Sequence, residues 1–198
     1  MELLVITRPD FIGETSTCNE LFAKGLRRLH LRKPEALRQQ MANWIEGIEA
    51  CYRSRIVVHD HFDLALQYGL GGIHLGRRNP DVPDWLDPGQ FSISRSCHSL
   101  EEVKACQEDF DYLFLSPIFD SISKQGYRSA FTREALAGAR DILSRNVYAL
   151  GGITFGRLPE VERLGFAGAA MLGGFWNDSR KNSILASMAS DTAYNHRL

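Results

Sequence analysis

The stretch "DYLFLSPIFDSISKQG", residues 111–126, decides the fold. Tyr112 to Phe119 is an apolar run with the length and composition of a buried strand. Asp120, Ser121, Ser123, Lys124 and Gly126 follow at once. A plain turn is satisfied by one or two such residues. Hydroxyls, a cation and a glycine crowded into seven positions suit a bound oxyanion better than a turn.

The same two-part pattern, an apolar run ending in polar residues, recurs along the chain. Strands are expected at 3–8, 26–32, 55–60, 71–76, 91–96, 112–119, 147–153 and 168–174. Amphipathic helices lie between several of them. Residues 35–53 place Leu37, Met41, Trp44, Ile45 and Ile48 on one stripe. Residues 99–109 open with Ser99 and carry Glu102 three places on, a capping box. Residues 132–145 start at Thr132 in a cap position, and 155–165 end at Gly165. The connection 77–90, rich in Pro, Asp and Gly, carries no helical pattern.

Eight strands with intervening crossovers predict a parallel sheet with helices outside. Spread over 198 residues, eight units take about 25 residues each, which predicts a single compact (β/α)8 TIM barrel with short loops. The rival is a doubly wound open sheet. Its glycine-rich phosphate turn would follow the first strand, where "TRPDFIGET" lacks the G-x-G-x-x-G pattern. One domain is expected, with a frayed tail beyond about residue 190.

The totals exclude several classes. Apolar residues make up 44% and charged residues 24%, with a formal net charge of −1. No basic excess points to nucleic acid, and no run of about 18 apolar residues points to a membrane span. The N-terminal residues read as a strand rather than a signal peptide, so a cytoplasmic protein is expected. Cys18, Cys51, Cys97 and Cys106 form no C-x-x-C pair and read as small buried thiols.

In a parallel barrel the C-terminal strand ends meet on one face, where such folds build active sites. Arg32 and Lys33, His59, Asp60 and His61, His74, Gly76 and Arg77, Ser94, Ser96 and His98, Ser121, Ser123 and Lys124, and the pairs Gly151–Gly152 and Gly173–Gly174 all fall there. Arginine and lysine suit phosphate, and paired glycines after the last two strands let backbone N–H groups approach one. Asp60 is a candidate Mg2+ ligand, or else a cap for a helix starting near Phe62. "HDH" at 59–61 looks like a metal pair, but no further His-plus-carboxylate cluster completes a zinc site. His59 reads as a neutral wall residue, His74 as a hydrogen-bonded core histidine and His98 as a helix start.

The series "HLRKP", "VVHDHFDLALQYGLGGIHLG", "ISRSCHSLEE", "DYLFLSPIFDSISK", "VYALGGIT" and "GFAGAAMLGGFW" resembles the thiamine-phosphate synthase superfamily, in order, from residue 3 to about 176. The superfamily also includes a thiazole tautomerase. The resemblance implies transfer of a hydroxymethylpyrimidine group from its diphosphate to a thiazole phosphate, releasing pyrophosphate. It implies small phosphorylated pyrimidine and thiazole substrates, with Mg2+ as cofactor. It assigns Arg32 and Ser96 to the pyrophosphate and Asp60 to the metal. Ser121, Ser123 and Lys124 match a Thr-x-Thr-Lys phosphate loop. Gly152, Leu172 and Gly173 match the thiazole-phosphate site, and His59 replaces an asparagine of the substrate pocket. Arg32 and Lys124 are the implied catalytic pair. Nothing in the sequence fixes the oligomeric state, and a homodimer is compatible with it.

The departures from the family pattern are equally specific. Pro34 stands where the family has a lysine, with Lys33 one place earlier. His61 replaces an arginine. Asn79 stands at the second magnesium aspartate, leaving Asp63 or Asp81 as substitutes, and Gly173 replaces a serine. The alternatives are a tautomerase, which needs a general acid/base and tends to have histidine where this chain has Pro117, with His98, His59 or His74 as substitutes, and a binding paralogue without catalysis.

Overall fold

The computed structural model describes residues 1–120, 131–181 and 183. Along the chain run β1 (Glu2–Ile6), α1 (Glu14–Ala23), β2 (Leu29–Leu31), α2 (Arg38–Glu46), β3 (Ile56–Val58), α3 (Asp63–Tyr68), β4 (Gly72–Leu75) and β5 (Ser92–Cys97). There follow α4 (Leu100–Cys106), β6 (Tyr112–Leu115), α5 (Arg133–Gly138), α6 (Arg140–Asn146), β7 (Val147–Ala149), α7 (Leu158–Leu164), β8 (Gly168–Met171) and α8 (Gly173–Trp176). The eight strands pair in sequence order into a closed parallel barrel. Closure is made by β1 against β8, with Leu4 opposite Ala170 and Val5 opposite Met171. An open doubly wound sheet is thereby excluded.

Side chains alternate across each strand, and the alternation sorts the core in two. Leu3, Val5, Leu29, Leu31, Ile56, Val58, Ile73 and Leu75 face the helices, in the large outer cluster. Leu4, Ile6, Tyr112, Phe114 and Ala170 face the barrel axis with Tyr148, Leu150 and Leu172. Apart from Val57 of β3, the buried inward side chains of β2 to β5 are polar: His30, His74 and Ser94.

Several elements differ from expectation. The helix expected over 35–53 stops at Gly47 and resumes as a 3-10 turn over Ala50–Arg55. The Asn19 amide of α1 donates to the Gly47 carbonyl (3.0 Å), and its side-chain oxygen accepts the Glu49 N–H (3.0 Å), which captures the chain and ends the helix. The helix expected over 132–145 turns at Ala139 into α5 and α6. The last two strands are shorter than expected. Gly151 and Gly152 adopt left-handed backbone (φ 94° and 64°), and Gly173 opens α8. Ser99 and Thr132 do cap their helices, accepting from the Glu102 and Ala135 N–H groups at 3.1 Å. Gly165 ends α7 at φ 89°. No helix lies between β4 and β5 among the described residues. Cys18 and Cys97 are buried, but Cys51 is exposed, because it sits on the 3-10 turn outside the stripe that packs inward. The expected frayed tail lies outside the described residues.

Lys33 corrects the reading most. It does not join Arg32 at the mouth, because alternation turns it to the opposite face. There it is 1% exposed and donates to the Arg8 carbonyl (2.7 Å), the Asp10 carbonyl and the buried Glu14 carboxylate. Glu14 also accepts the Arg8 N–H (2.6 Å) and the Trp44 indole N–H (3.0 Å). This knot ties the exits of β1 and β2 to α1 and α2. Removing one member of a buried ion pair leaves an uncompensated charge, at a cost of about 3–5 kcal/mol. Glu14→Ala is therefore expected to lower unfolding free energy by about that amount in urea titrations. A loss under about 1 kcal/mol would show that the pair does not secure the fold.

Candidate active site at the barrel mouth

Continuing the inward positions one step beyond the strands gives the mouth. A cavity of about 630 Å³ opens there, walled by Arg32, His59, His74, Ser96, His98, Phe114, Ser116, Pro117, Leu150 and Leu172, with Arg77, Arg78 and Asn79 at its rim. A second cavity of about 470 Å³ adjoins it, lined by Arg8, Gly151, Gly152, Gly173, Gly174 and Trp176. Leu150 and Leu172 line both. Added to Gly152, a Cβ would lie 2.5 Å from the Asp120 carbonyl; on Gly174 it would lie 2.1 Å from the Ile153 carbonyl. Only glycine permits the backbone of these loops to come so close.

The floor of the first cavity is a histidine stack. His30 Nδ1 is 2.9 Å from His59 Nε2, and Tyr112 Oη is 2.8 Å from His30 Nε2. His74 is held at both ring nitrogens by the Ser94 and Ser96 hydroxyls, each at 2.8 Å. Burial disfavours the imidazolium of all three, and the neighbouring cations add to it. His30 and His59 titrate well below the ordinary histidine range, and His74 is pushed down to about 3. The stack is therefore neutral at pH 7. The three rings come close enough to share a metal. However, both nitrogens of His30 and of His74 already have partners, so they read as a satisfied polar core. Zinc ligation through "HDH" does not arise: His61 turns away, with Nε2 3.0 Å from the Ala36 carbonyl.

Arg32 stands at the rim. Burial and the neighbouring Arg78 lower its pKa against the opposing pull of Asp60, yet a guanidinium stays charged. Asp60 is not an open ligand. Both its oxygens accept from Arg78 Nη2 (2.9 and 2.7 Å), and Oδ1 also accepts from the Asn79 amide (2.9 Å). Asp63 does not substitute as a second carboxylate, because Arg38 Nε donates to it (2.7 Å) from the outer helix layer. Ser94 sits below the mouth, fully buried against His74. His98 both begins the α4 turn, its N–H donating to Glu102 (2.7 Å), and lines the cavity, with Nδ1 3.1 Å from the Ser116 carbonyl. Ser121, Ser123 and Lys124 lie outside the described residues. The chain enters that segment at Asp120, beside Gly152.

Sequence reading missed Arg8 and Arg78. Arg8 ends the first strand run, lies over the Trp176 ring at 5.3 Å and lines the second cavity; its Nε makes no hydrogen bond but stands 3.8 Å from the Glu14 carboxylate. The signal for both was a basic residue within three positions of a strand end, as for Arg32.

The fold and site define a parallel (β/α)8 barrel with two adjoining cavities, one arginine-rimmed and one glycine-lined. Residues 3–175 match the family model for thiamine monophosphate synthase. A structure of a thiamine phosphate pyrophosphorylase from Bacteroides thetaiotaomicron is 36% identical, superposes with a TM-score of 0.83, and covers 96% of this chain and 98% of its own. A putative thiamine-phosphate synthase 2 from Aquifex aeolicus is 29% identical over 176 residues, 85% of this chain and 94% of that protein. A thiamine-phosphate synthase from Synechococcus sp. (strain CC9605) is 33% identical over 141 residues, 69% of this chain but 39% of that longer protein. The chain belongs to the thiamine monophosphate synthase family, a family of thiamine-biosynthetic transferases.

The buried histidines make acid stability predictable. Their folded-state pKa values lie below those of the unfolded chain, so below about pH 6.5 the unfolded state binds more protons. Stability then falls as pH drops from about 6.5 towards 3, by about 1.4 kcal/mol per pH unit for each histidine that remains neutral. Urea unfolding at pH 7 and pH 5 checks this. Replacing His74 with Asn is expected to flatten the dependence, and an unchanged slope would rule out His74 as a contributor.

Proposed function

We propose that this chain joins the two halves of thiamine phosphate in the cytoplasm, acting on a hydroxymethylpyrimidine diphosphate and a thiazole phosphate. The observation that carries the reading is the pair of cavities sharing the Leu150 and Leu172 wall. Each substrate's anionic end has its own basic or glycine-lined lobe, and the uncharged reacting ends meet at the apolar partition.

In this reading the C–O bond between the pyrimidinyl methylene and the diphosphate breaks, and its electron pair leaves with pyrophosphate. The thiazole nitrogen then forms the C–N bond through its lone pair, so no proton need be removed. Arg32 and Ser96 face the departing diphosphate. Catalysis then comes mainly from charge placed where negative charge develops. His59 is a neutral polar wall. Gly152, Leu172 and Gly173 form the thiazole-phosphate cup, and Arg8 supplies the charge that Gly173, replacing a serine, does not. Ser121, Ser123 and Lys124 carry the phosphate-contacting roles that the resemblance implies. Pro117 stands on the cavity wall where the tautomerase branch tends to carry histidine, and with His59 and His74 held neutral by burial that reading falls to His98.

Magnesium belongs to this chemistry in the family as the resemblance has it, with Asp60 as ligand. The donor set does not suit it here. Asp60 already accepts three N–H bonds, and Asn79 presents an amide N–H where a second carboxylate would stand.

Supplying both phosphorylated substrates and reading thiamine phosphate by fluorescence after oxidation tests the reading. Product is expected, and Lys124→Ala should slow its formation by about 10²-fold. Arg8→Ala should raise KM for the thiazole phosphate by about tenfold, with little change for the pyrimidine diphosphate. Turnover of a thiazole carboxylate phosphate alone, with no joined product, would overturn the assignment.

A further inference from the structure

The rim of the first cavity holds a feature that the family resemblance does not explain. Following β4, the chain folds into a tight turn in which Gly76 and Asn79 exchange both backbone hydrogen bonds (3.0 and 3.1 Å). The two residues at the tip of that turn are Arg77 and Arg78, both on the cavity rim with Arg32. Arg78 is fixed from three sides. Nη2 spans both oxygens of Asp60, and Nη1 donates to the Pro34 carbonyl at 2.7 Å. Asn79 fixes Asp60 in turn, its amide donating to Oδ1 and to the His59 carbonyl, each at 2.9 Å. Asp60 is the better buried partner, with its side chain 16% exposed against 45% for Arg78.

We propose that Arg78, held by Asp60 and Asn79, occupies the role of the divalent cation, so that the mouth binds a diphosphate group without a metal. This rests on the transferase reading for the identity of the diphosphate, though not for its chemistry. Arg32, Arg77 and Arg78 line the cavity with three positive charges, and Asp60, paired with Arg78, brings the local sum to +2. Guanidinium groups offer paired N–H donors that match phosphate oxygens. Asp60 orients the guanidinium from behind, as a positioning residue. An aspartate at position 79 would add a second carboxylate and favour a cation. Asparagine adds a donor and favours the arginine.

Calorimetric titration with inorganic pyrophosphate tests this directly. With EDTA present, the unaltered protein is expected to bind pyrophosphate, and added Mg2+ should change the affinity by less than about threefold. Arg78→Gln should weaken binding by tenfold or more, the usual scale for losing a charged donor to an anion. Arg78→Lys should recover part of it. Arg78→Ala combined with Asn79→Asp should convert the site to one that binds pyrophosphate only with Mg2+. A thermal melt of each variant establishes that it is folded. Binding by the unaltered protein that requires Mg2+, or Arg78→Gln binding as tightly as the parent, would overturn the proposal.

The transfer assay separates this from the wider reading. Product formed only with Mg2+ sinks the arginine clamp and leaves the transferase intact. Metal-free pyrophosphate binding with no product sinks the transferase and leaves the clamp.

Discussion

The alternation of side chains across a closed ring of eight strands is the constraint on which the rest depends. Because β1 pairs with both β2 and β8, every strand has one face in the barrel and one face under the helices. The inward set is divided by chemistry. Leu4, Ile6, Phe114, Ala170 and Leu172 fill the side built by β1, β6 and β8, while His30, His59, His74, Ser94 and Ser96 fill the side built by β2 to β5. A buried polar group without a partner costs about 1–3 kcal/mol, so the polar side is tolerable only because its members bind one another. The next inward step above each half is the cavity, which inherits a polar wall and an apolar partition.

That inheritance has an electrostatic consequence. Loss of a diphosphate leaves a cationic pyrimidinyl methylene, which protonated histidines would repel. Burial keeps His30, His59 and His74 neutral, so the cavity floor presents hydrogen-bonding rings and no positive charge. The arginines stand instead at the rim, on the side a leaving anion would take. The neutral histidines thus lie between the rim arginines above and Arg28 at the base of the barrel, over the Tyr112 ring.

The barrel was legible because each strand ends in residues that have no reason to follow a core strand unless they serve a site. Strand ends were overrun wherever apolar residues continued into a turn, as at Leu150 and Leu172. The helix α1 was invisible because its buried face includes Glu14 and Cys18, which no apolar stripe announces. Lys33 was placed on the wrong face because it neighbours Arg32 in sequence, whereas a strand sends neighbours in opposite directions. Its partner Glu14 lies 19 residues earlier, and nothing in composition links a buried lysine to a buried glutamate at that distance. Arg78 was missed for a related reason. The family pattern places carboxylates at this rim, and only the fold shows that Arg78 and Asn79 both donate to Asp60.

An arginine and a metal ion are not equivalent solutions to one electrostatic problem. A magnesium ion held by few protein ligands can depart with pyrophosphate, taking the neutralising charge away with the product. A guanidinium cannot leave, so product release must break every N–H contact against a fixed charge. Asp60 moderates that penalty. By accepting two contacts from Arg78 it lowers the net charge of the rim and gives the guanidinium a partner when the anion has gone. The exposure of Arg78 works in the same direction, because water can replace the departing oxygens as they leave. In the proposed clamp the half-buried Asp60 carboxylate therefore sets the balance of the rim between capture and release, and Asn79 supports it as a donor.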